Sequence, residues 1–325
     1  MPRVLLLFVD GVGLGDDAAA NPFVAAALPT LHGLLGVRPL VAAATPHHGP
    51  EASLVGVDAT LGVAGLPQSG TGQATLLTGI DAVARHGRHF GPWVPAHLRP
   101  LVREESVLAR ARRAGHSIAF ANAYPEEVLL HGTPEDGAAQ PGPEPPAAER
   151  ARRRRAPFYL RAGPPLAALG AGVLTRHTPA LAAGDAVASE ITNDGWRDRL
   201  GRSDVPPIDA ATAGLNLARI VERHDLTLFA HYATDYAGHT CDMPAAVRSL
   251  ERLDAFIGGF LAAAPGDAMM VLVSDHGNIE DVRTGHTRNP AIAVVAGSGH
   301  ALLARRLHSL MDVTPAILDL LSLKA

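Results

Sequence analysis

The chain has 325 residues, 47% of them hydrophobic, and a formal net charge of −4 at pH 7. This composition predicts a globular protein with material for a buried sheet and room for two domains, and it gives no indication of a dedicated nucleic-acid or membrane-surface binder. The single cysteine, Cys241, excludes an intrachain disulfide framework, which is typical of a reducing, cytoplasmic setting. No apolar stretch reaches membrane-spanning length.

Short apolar runs alternate with helical patterns along the chain. In chain order the predicted elements are a strand at Val4–Val9, helices over Thr71–Thr78 and Leu101–Ala114, strands at Ile118–Ala121 and Leu226–Ala230, a helix over Ala245–Ala264, strands at Met269–Val273 and Ile292–Ala296, and a helix over Val313–Leu321 with Pro315 in its first turn. The run at Val4–Val9 is too short for a signal peptide and stops at Asp10. Continuous apolar strands of this kind favour a mostly parallel sheet in an α/β three-layer sandwich.

The middle of the chain differs from the rest in its predicted secondary structure, because strand signals are sparse between residues 86 and 209. A tract rich in Pro, Gly, Ala and Glu at 132–148 predicts a mobile loop. It is followed by Glu149–Arg155 with five arginines, which is either a solvated helix start or a patch for an anionic substrate or polyanion. We predict a discontinuous catalytic core, 1–85 and 210–325, interrupted by a smaller inserted α/β cap domain, 86–209.

Candidate metal ligands stand before residue 80 or after residue 234, each beside a glycine or a strand end. They are Asp10, Ser69, Asp235, His239, Asp275, His276 and His286. In open α/β sheets, ligands gather at the carboxyl ends of strands, where Asp10 and the Asp275-His276 pair are predicted to lie. Asp235 and His239 are spaced i, i+4 and can face one ion from a helix or a tight loop, with Gly238 favouring the loop. Together these oxygen and nitrogen donors suffice for two metal ions.

Ser69 lies before the predicted helix that begins near Thr71. The backbone N–H groups and the dipole at a helix N-terminus favour a hydroxyl there and also hold a phosphate. A metal would lower the pKa of this hydroxyl and make it a nucleophile at neutral pH. Thr71 and Thr75 are rival hydroxyls, and helix capping is the alternative role for all three. Cys241, two residues after His239, is interpreted as a bystander rather than a ligand.

The ordered set Asp, Ser, Asp-x3-His, Asp-His and His resembles the alkaline phosphatase superfamily, nearest to cofactor-independent phosphoglycerate mutases and phosphopentomutase. The resemblance covers roughly residues 1–85 and 220–325. In this family the nucleophilic Ser or Thr precedes a Thr-Gly pair at a fixed distance, so the resemblance, through Thr78-Gly79, implies Ser69 rather than Thr71 as the nucleophile. It implies one metal site of Asp235, His239 and His286, and a second of Asp10, Ser69, Asp275 and His276. It implies Mn²⁺ or Zn²⁺, since these ligand types do not choose between the two metals.

The predicted function is therefore phosphoryl transfer on a small phosphorylated metabolite through a phosphoserine, in the manner of a phosphomutase. A metal-dependent phosphatase and a non-catalytic metal-binding protein are the alternatives, and neither nucleic acid nor membrane is expected as a partner. The chain departs from the resemblance in two ways: its insert does not visibly match the second domain of the bacterial mutases, and Gln73 stands where some mutases have histidine. Candidate substrate contacts are Arg88, His89, Asn193 and Arg197.

Overall fold

The computed structural model describes residues 2–126 and 158–322. The proline-rich tract at 132–148 and the arginine run at Glu149–Arg155 lie outside the described residues, so both interpretations stay predictions. Within the described ranges the chain forms one mixed β-sheet with helices on both of its faces. The predicted α/β class is confirmed.

The described part of the chain contributes seven strands to this sheet. They are β1 (Arg3–Val9), β2 (His47–His48), β3 (Ala52–Val57), β4 (Ile118–Phe120), β5 (Leu226–His231), β6 (Ala268–Val273) and β7 (Ala291–Ala296), in the spatial order β2-β3-β7-β6-β1-β5-β4. The four strands β6, β1, β5 and β4 run parallel, with Val4 opposite both Leu226 and Met269. Their carboxyl ends therefore meet at one edge of the sheet.

The prediction of a parallel strand at Ile292–Ala296 is wrong in direction. This strand, β7, pairs antiparallel with β6 on one side and with β3 on the other. A continuous apolar run indicates a strand that is buried on both faces of the sheet. A central antiparallel strand is buried in the same way when helices cover both faces, so it has the same pattern. The pattern therefore predicted the strand but could not give its direction, and the strands β2 and β3 were not predicted at all.

The predicted helices over Thr71–Thr78 and Ala245–Ala264 are present within two residues of their predicted bounds, and many of the other helices in the described ranges were not predicted. The helices are α1 (Pro22–Ala25), α2 (Pro29–Leu35), α3 (Ser69–Thr78), α4 (Ala82–His86), α5 (Arg99–Glu105), α6 (Val107–Arg113), α7 (Gly163–Gly170), α8 (Thr178–Ala182), α9 (Asp194–Asp198), α10 (Ala210–Glu222), α11 (Ala233–His239), α12 (Met243–Ala263), α13 (His300–Ala304) and α14 (Leu310–Ser322). No helix in the described ranges combines the length and apolar character that a membrane span requires.

Two helix predictions need correction. The helix expected over Leu101–Ala114 is broken at Ser106, whose extended backbone and side-chain oxygen, which accepts from Ala109 N, cap the start of α6. The closing helix begins at Leu310 rather than Val313, so Pro315 lies inside it. Asp312 accounts for the earlier start, because its carboxylate accepts hydrogen bonds from the backbone N–H groups of His308 and Ser309.

Alternate residues of β1 divide the core into two apolar layers. Val4, Leu6 and Phe8 pack with residues of α3, α5, α6, α7 and α14, and the intervening Leu5, Leu7 and Val9 pack with residues of α1, α2, α10 and α12. Because successive side chains of a strand point to opposite faces, a fully apolar strand needs such a helical layer on each side. The result is the predicted three-layer sandwich.

The middle segment contributes to this sandwich in its described part. Strand β4 extends the sheet beside β5, and α5, α6 and α7 cover one of its faces. A separate small apolar cluster is made only by residues between 123 and 205, including Trp196 and Val205. The division of the chain into a core and an 86–209 cap domain stays a prediction.

A tight helix crossing provides a test of this packing. A Cβ on Gly259 of α12 would lie 2.0 Å from the Ala211 carbonyl oxygen of α10, so Gly259→Ala must push two helices apart. We expect a loss of about 1–3 kcal/mol in the free energy of unfolding, measured by urea denaturation. Gly33→Ala in α2 is the matched control: its Cβ would meet nothing within 4 Å, so a change no worse than neutral is expected. Equal losses in both variants would contradict the crossing.

Candidate metal centre

The candidate ligands converge at the carboxyl edge of three neighbouring parallel strands. Asp10 follows β1, the Asp275-His276 pair follows β6, and α11, which carries Asp235 and His239, follows β5. His286 lies in the loop between β6 and β7, and Ser69 is the first residue of α3. Residues that are more than 200 positions apart in the sequence therefore come together, as is usual for ligand sites in parallel sheets.

One group of side chains is almost completely buried around the imidazole of His276. Its Nε2 atom lies 2.9 Å from Ser69 Oγ, 3.3 Å from Asp10 Oδ1 and 3.8 Å from Asp275 Oδ2. Apart from the nearby His276 nitrogen, neither of these two carboxylate oxygens has a hydrogen-bond donor in the described ranges. Buried anionic oxygens without donors are costly, so this group needs a cation.

The electrostatics of the buried group give the same indication. Burial, and then repulsion from Asp275, raises the pKa of the Asp10 carboxyl well above its usual value. Burial also raises the pKa of Asp275. For His276, burial alone disfavours the charged ring, but the Asp275 and Asp10 carboxylates outweigh it and raise the pKa to about 10. The pocket therefore favours positive charge, although it is closed to bulk water.

The second group, Asp235, His239 and His286, is more open. His239 Nε2 lies 3.1 Å from His286 Nε2 and 3.4 Å from Asp235 Oδ2, and the His239 side chain is 51% exposed. His286 Nδ1 lies 2.9 Å from the Pro67 carbonyl oxygen, which accepts its N–H and leaves Nε2 with a free lone pair. Burial, and then the proximity of His276, lowers the pKa of His286 to about 4, so its ring is neutral at pH 7.

The residues of the two groups fit divalent metal ions. In each, three carboxylate or imidazole donor atoms lie within 4.8 Å of one another. The groups also adjoin, because the rings of His276 and His286 stack with their centroids 4.1 Å apart. Mixed carboxylate and imidazole donors suit zinc and manganese. A cation would also stabilise the close approach of the His239 and His286 Nε2 atoms.

The expectation that Gly238 favours a loop is wrong, because Asp235 and His239 lie one turn apart on helix α11. Gly238 is required for a different reason. A Cβ at this position would lie 2.6 Å from Asn278 Oδ1, and Asn278 Nδ2 donates to Asp235 Oδ1 at 2.6 Å. The glycine lets the 275–280 loop approach the helix and hold the Asp235 carboxylate.

The sequence did not predict the hydrogen bonds by which several residues support the ligands. Gln73 Nε2 donates to Asp10 Oδ2 at 3.1 Å, and its Oε1 accepts from Gly163 N at 2.9 Å. Thr234 Oγ1 donates to the Asp10 carbonyl oxygen, and Glu280 accepts from the backbone N–H groups of Gly13 and Asn278. No local pattern marks Asn278 and Glu280, because the stretch from Ser274 to Asn289 is polar almost throughout.

The predicted substrate contacts divide into two pairs. Arg88 is exposed and His89 half-buried, in the loop whose Phe90 carbonyl accepts from Thr71 N near the start of α3. Asn193 is buried and donates to the Pro206 carbonyl, while Arg197 donates to the Val205 carbonyl at 2.6 Å. The first pair thus lies beside the Ser69 helix, and the second makes local contacts within the middle segment.

The rival hydroxyls and the cysteine have other positions. Thr75 Oγ1 donates to the Thr71 carbonyl and accepts from Ala82 N, and Thr71 Oγ1 accepts from Phe90 N. Both hydroxyls therefore hold backbone groups. Cys241 is exposed and is a member of neither ligand group in the described residues.

Comparisons with known proteins agree with this fold. Residues 204–325 match the family model of the Metalloenzyme superfamily. A 2,3-bisphosphoglycerate-independent phosphoglycerate mutase from Desulforudis audaxviator is 37% identical over 111 residues, which are 32% of this chain and 22% of that protein. The chain thus spans less than a quarter of the length of this relative.

Two solved structures share the fold over the whole chain. The PH0037 protein from Pyrococcus horikoshii has a TM-score of 0.55 at 13% identity, covering 100% of this chain and 98% of that one. An alkaline phosphatase from Thermus thermophilus has a TM-score of 0.50 at 13% identity, covering 100% and 92%. The match of residues 204–325 to the Metalloenzyme superfamily model agrees with the resemblance predicted from the sequence.

The double contact of Gln73 can be tested by Gln73→Leu. The leucine leaves Asp10 Oδ2 and the Gly163 N–H without partners, so we expect the free energy of unfolding to fall by about 2 kcal/mol or more. Hydrogen exchange at the Gly163 amide should also become faster. Thr314→Val, which removes a buried hydroxyl bonded to the Leu76 carbonyl, is the control: it should cost about 1 kcal/mol without changing exchange at Gly163. Unchanged Gly163 exchange in the leucine variant would contradict the contact.

Proposed function

We propose that this protein is a dinuclear-metal-dependent enzyme that transfers a phosphoryl group of a small phosphate monoester through a phosphoserine at Ser69. The observation that carries the proposal is the position of Ser69 Oγ. It lies 2.9 Å from His276 Nε2 in the buried group, and the His276 ring stacks on His286 of the open group. This contact supports a nucleophile beside the buried group, on the ring that adjoins the open group.

The two groups would hold the ions. Asp235, His239 and His286 form one site, and Asp10, Asp275, His276 and Ser69 form the other, with Mn²⁺ or Zn²⁺ as the metals. Bound there, divalent ions would lower the pKa of the Ser69 hydroxyl and neutralise charge on the transferring phosphoryl group.

The chain itself supplies position and shielding. Ser69 begins α3, so its hydroxyl lies at the end of the helix where the backbone N–H groups and the macrodipole favour an anion. In the proposed step a bond forms between Ser69 Oγ and phosphorus while the ester P–O bond on the opposite side breaks. Ser69 is 5% exposed, so little water reaches the nucleophile before substrate binds.

The fate of the phosphoserine decides between the two leading activities. Transfer to a second oxygen of the retained substrate makes the protein a phosphomutase, which the phosphoglycerate mutase relative favours. Transfer to water makes it a phosphatase. Arg88 and His89, next to the Ser69 helix, are the proposed substrate contacts, and Asn193 and Arg197 would position the segment near Val205 and Pro206 through their carbonyl contacts.

A non-catalytic metal-binding protein is the third possibility. The combination of a hydroxyl with two complete ligand groups argues against it, since metal storage or scaffolding needs no nucleophile at the centre. Turnover of a phosphate ester by the purified protein distinguishes an enzyme from a non-catalytic metal-binding protein.

The decisive experiment compares the unsubstituted protein with Ser69→Ala on a panel of phosphate monoesters, including 3-phosphoglycerate, with added Mn²⁺ or Zn²⁺. Phosphorus NMR follows both released phosphate and isomerised ester in one tube. We expect Ser69→Ala to lose at least 10³-fold in kcat, because the covalent path is removed. Ser106→Ala is the control, since Ser106 is also a buried serine at a helix start but caps α6 outside the ligand groups.

Each result has a distinct meaning. Isomerised ester without free phosphate supports a mutase, and free phosphate supports a phosphatase. Undiminished turnover by Ser69→Ala would refute the nucleophile, and metal binding without any turnover would favour the non-catalytic reading.

A further inference from the structure

We infer that Glu280 is a positioning residue that aligns both metal-ligand groups by holding two ligand-bearing loops, the one after β1 and the one between β6 and β7, in fixed positions. The inference rests on the proposed function, since it assigns a task toward the metals. Glu280 is 1% exposed and belongs to neither ligand group. Its carboxylate is turned instead toward backbone and side-chain donors from the loops that carry the ligands.

Glu280 accepts hydrogen bonds from each of these loops. Oε2 accepts from Gly13 N at 2.8 Å and from Asn278 N at 2.7 Å. Oε1 accepts from Thr287 Oγ1 and from Asn289 Nδ2, the latter at 3.1 Å. The donors thus come from the loop after β1 and from both ends of the loop between β6 and β7, and each lies one to three residues from a candidate ligand.

The glycines of two motifs are explained by this carboxylate. A Cβ on Gly13 or on Gly277 would lie 2.3 Å from Glu280 Oε1. Each backbone can approach the carboxylate only because no side chain intervenes. Both φ angles are ordinary, so the glycines are needed for space rather than for a left-handed conformation.

The bonds continue from Glu280 to the ligands of the open group. Asn278, whose N–H is held by Glu280, donates its side-chain amide to Asp235 Oδ1 at 2.6 Å. Thr287, which donates to Glu280, is the neighbour of His286. On the buried side, Gly13 follows Asp10 by three residues, and Gly11 N lies 3.4 Å from Asp275 Oδ1. One buried carboxylate thus fixes the separation of the loops that supply both groups.

This task differs from ordinary structural support in what it predicts for metal affinity. A group that orients ligands typically changes affinity by 10–100-fold when it is removed, whereas a group that only stabilises the fold changes the unfolding temperature. The closing experiment therefore measures Mn²⁺ dissociation constants by calorimetry on the full-length protein, with the Mn²⁺ EPR spectrum as a signature of a coupled pair.

We compare Glu280→Ala with Asp254→Ala. Asp254 is also a buried carboxylate that accepts two backbone N–H bonds, from Thr30 and Leu31, but it lies outside both ligand groups. Both variants should have lower unfolding temperatures. Glu280→Ala should weaken Mn²⁺ binding at both sites by about tenfold or more and lose the coupled-pair spectrum. Asp254→Ala should keep both dissociation constants within about twofold.

A second pair of variants decides the matter if Glu280→Ala does not fold. Thr287→Val removes one donor to Glu280 beside His286, whereas Thr287→Ser keeps the hydroxyl. We expect the valine variant to retain one Mn²⁺ at the unsubstituted affinity and to bind the other about tenfold more weakly, and the serine variant to bind as the unsubstituted protein does.

Three outcomes would overturn the inference. Unsubstituted Mn²⁺ affinities in Glu280→Ala, with only a lower unfolding temperature, would make the residue purely structural. Equal binding by the valine and serine variants would refute the link through Thr287. Failure of the unsubstituted protein to bind Mn²⁺ or Zn²⁺ would refute the proposed function itself, and this inference with it.

Discussion

The arrangement of this molecule depends on negative charge that is buried at the carboxyl edge of three parallel strands. Asp10 and Asp275 are brought together at the ends of β1 and β6, away from water, and apart from His276 one oxygen of each has no donor among the described residues. Burial raises the pKa of both carboxyls, and at Asp10 repulsion from Asp275 raises it further. The surrounding structure must therefore hold the carboxylates in place until a cation neutralises them, and the sheet provides a rigid frame for this.

The frame is extended by polar side chains that bind the ligand loops to one another. Gln73, Thr234, Asn278 and Glu280 each make a hydrogen bond to a ligand or to a loop that carries one. All of these contacts are buried or partly buried, where an unpaired donor or acceptor is costly, so each bond strongly favours a single arrangement. The same requirement explains the glycines near the centre, which let the backbone come close to carboxylates and amides.

The middle segment is connected to the centre through Gln73. The Gln73 side chain donates to Asp10 and accepts from Gly163, the first residue of α7. A change in the position of α7 would therefore alter the position of the Asp10 carboxylate. Helix α7 packs on α3, which begins with Ser69, and the Arg88 loop lies against the same end of α3. Under the proposed function, substrate selection by the middle segment and phosphoryl transfer by the core would share helix α3.

The sequence determined the identity and order of the candidate ligands, the strands that precede them and the α/β class, because ligand chemistry belongs to residue types and burial leaves a local apolar pattern. It could not give the direction of β7 or the contact that requires Gly238, since these depend on partners elsewhere in the chain; the break at Ser106 comes from a local cap that the helical pattern did not reveal. The Gly13–Glu280 bond joins residues 267 positions apart, and Gln73 meets Gly163 across 90. Only the tertiary structure decided these contacts, because a hydrogen bond between distant residues is set by how the layers pack and has no local pattern that would reveal it.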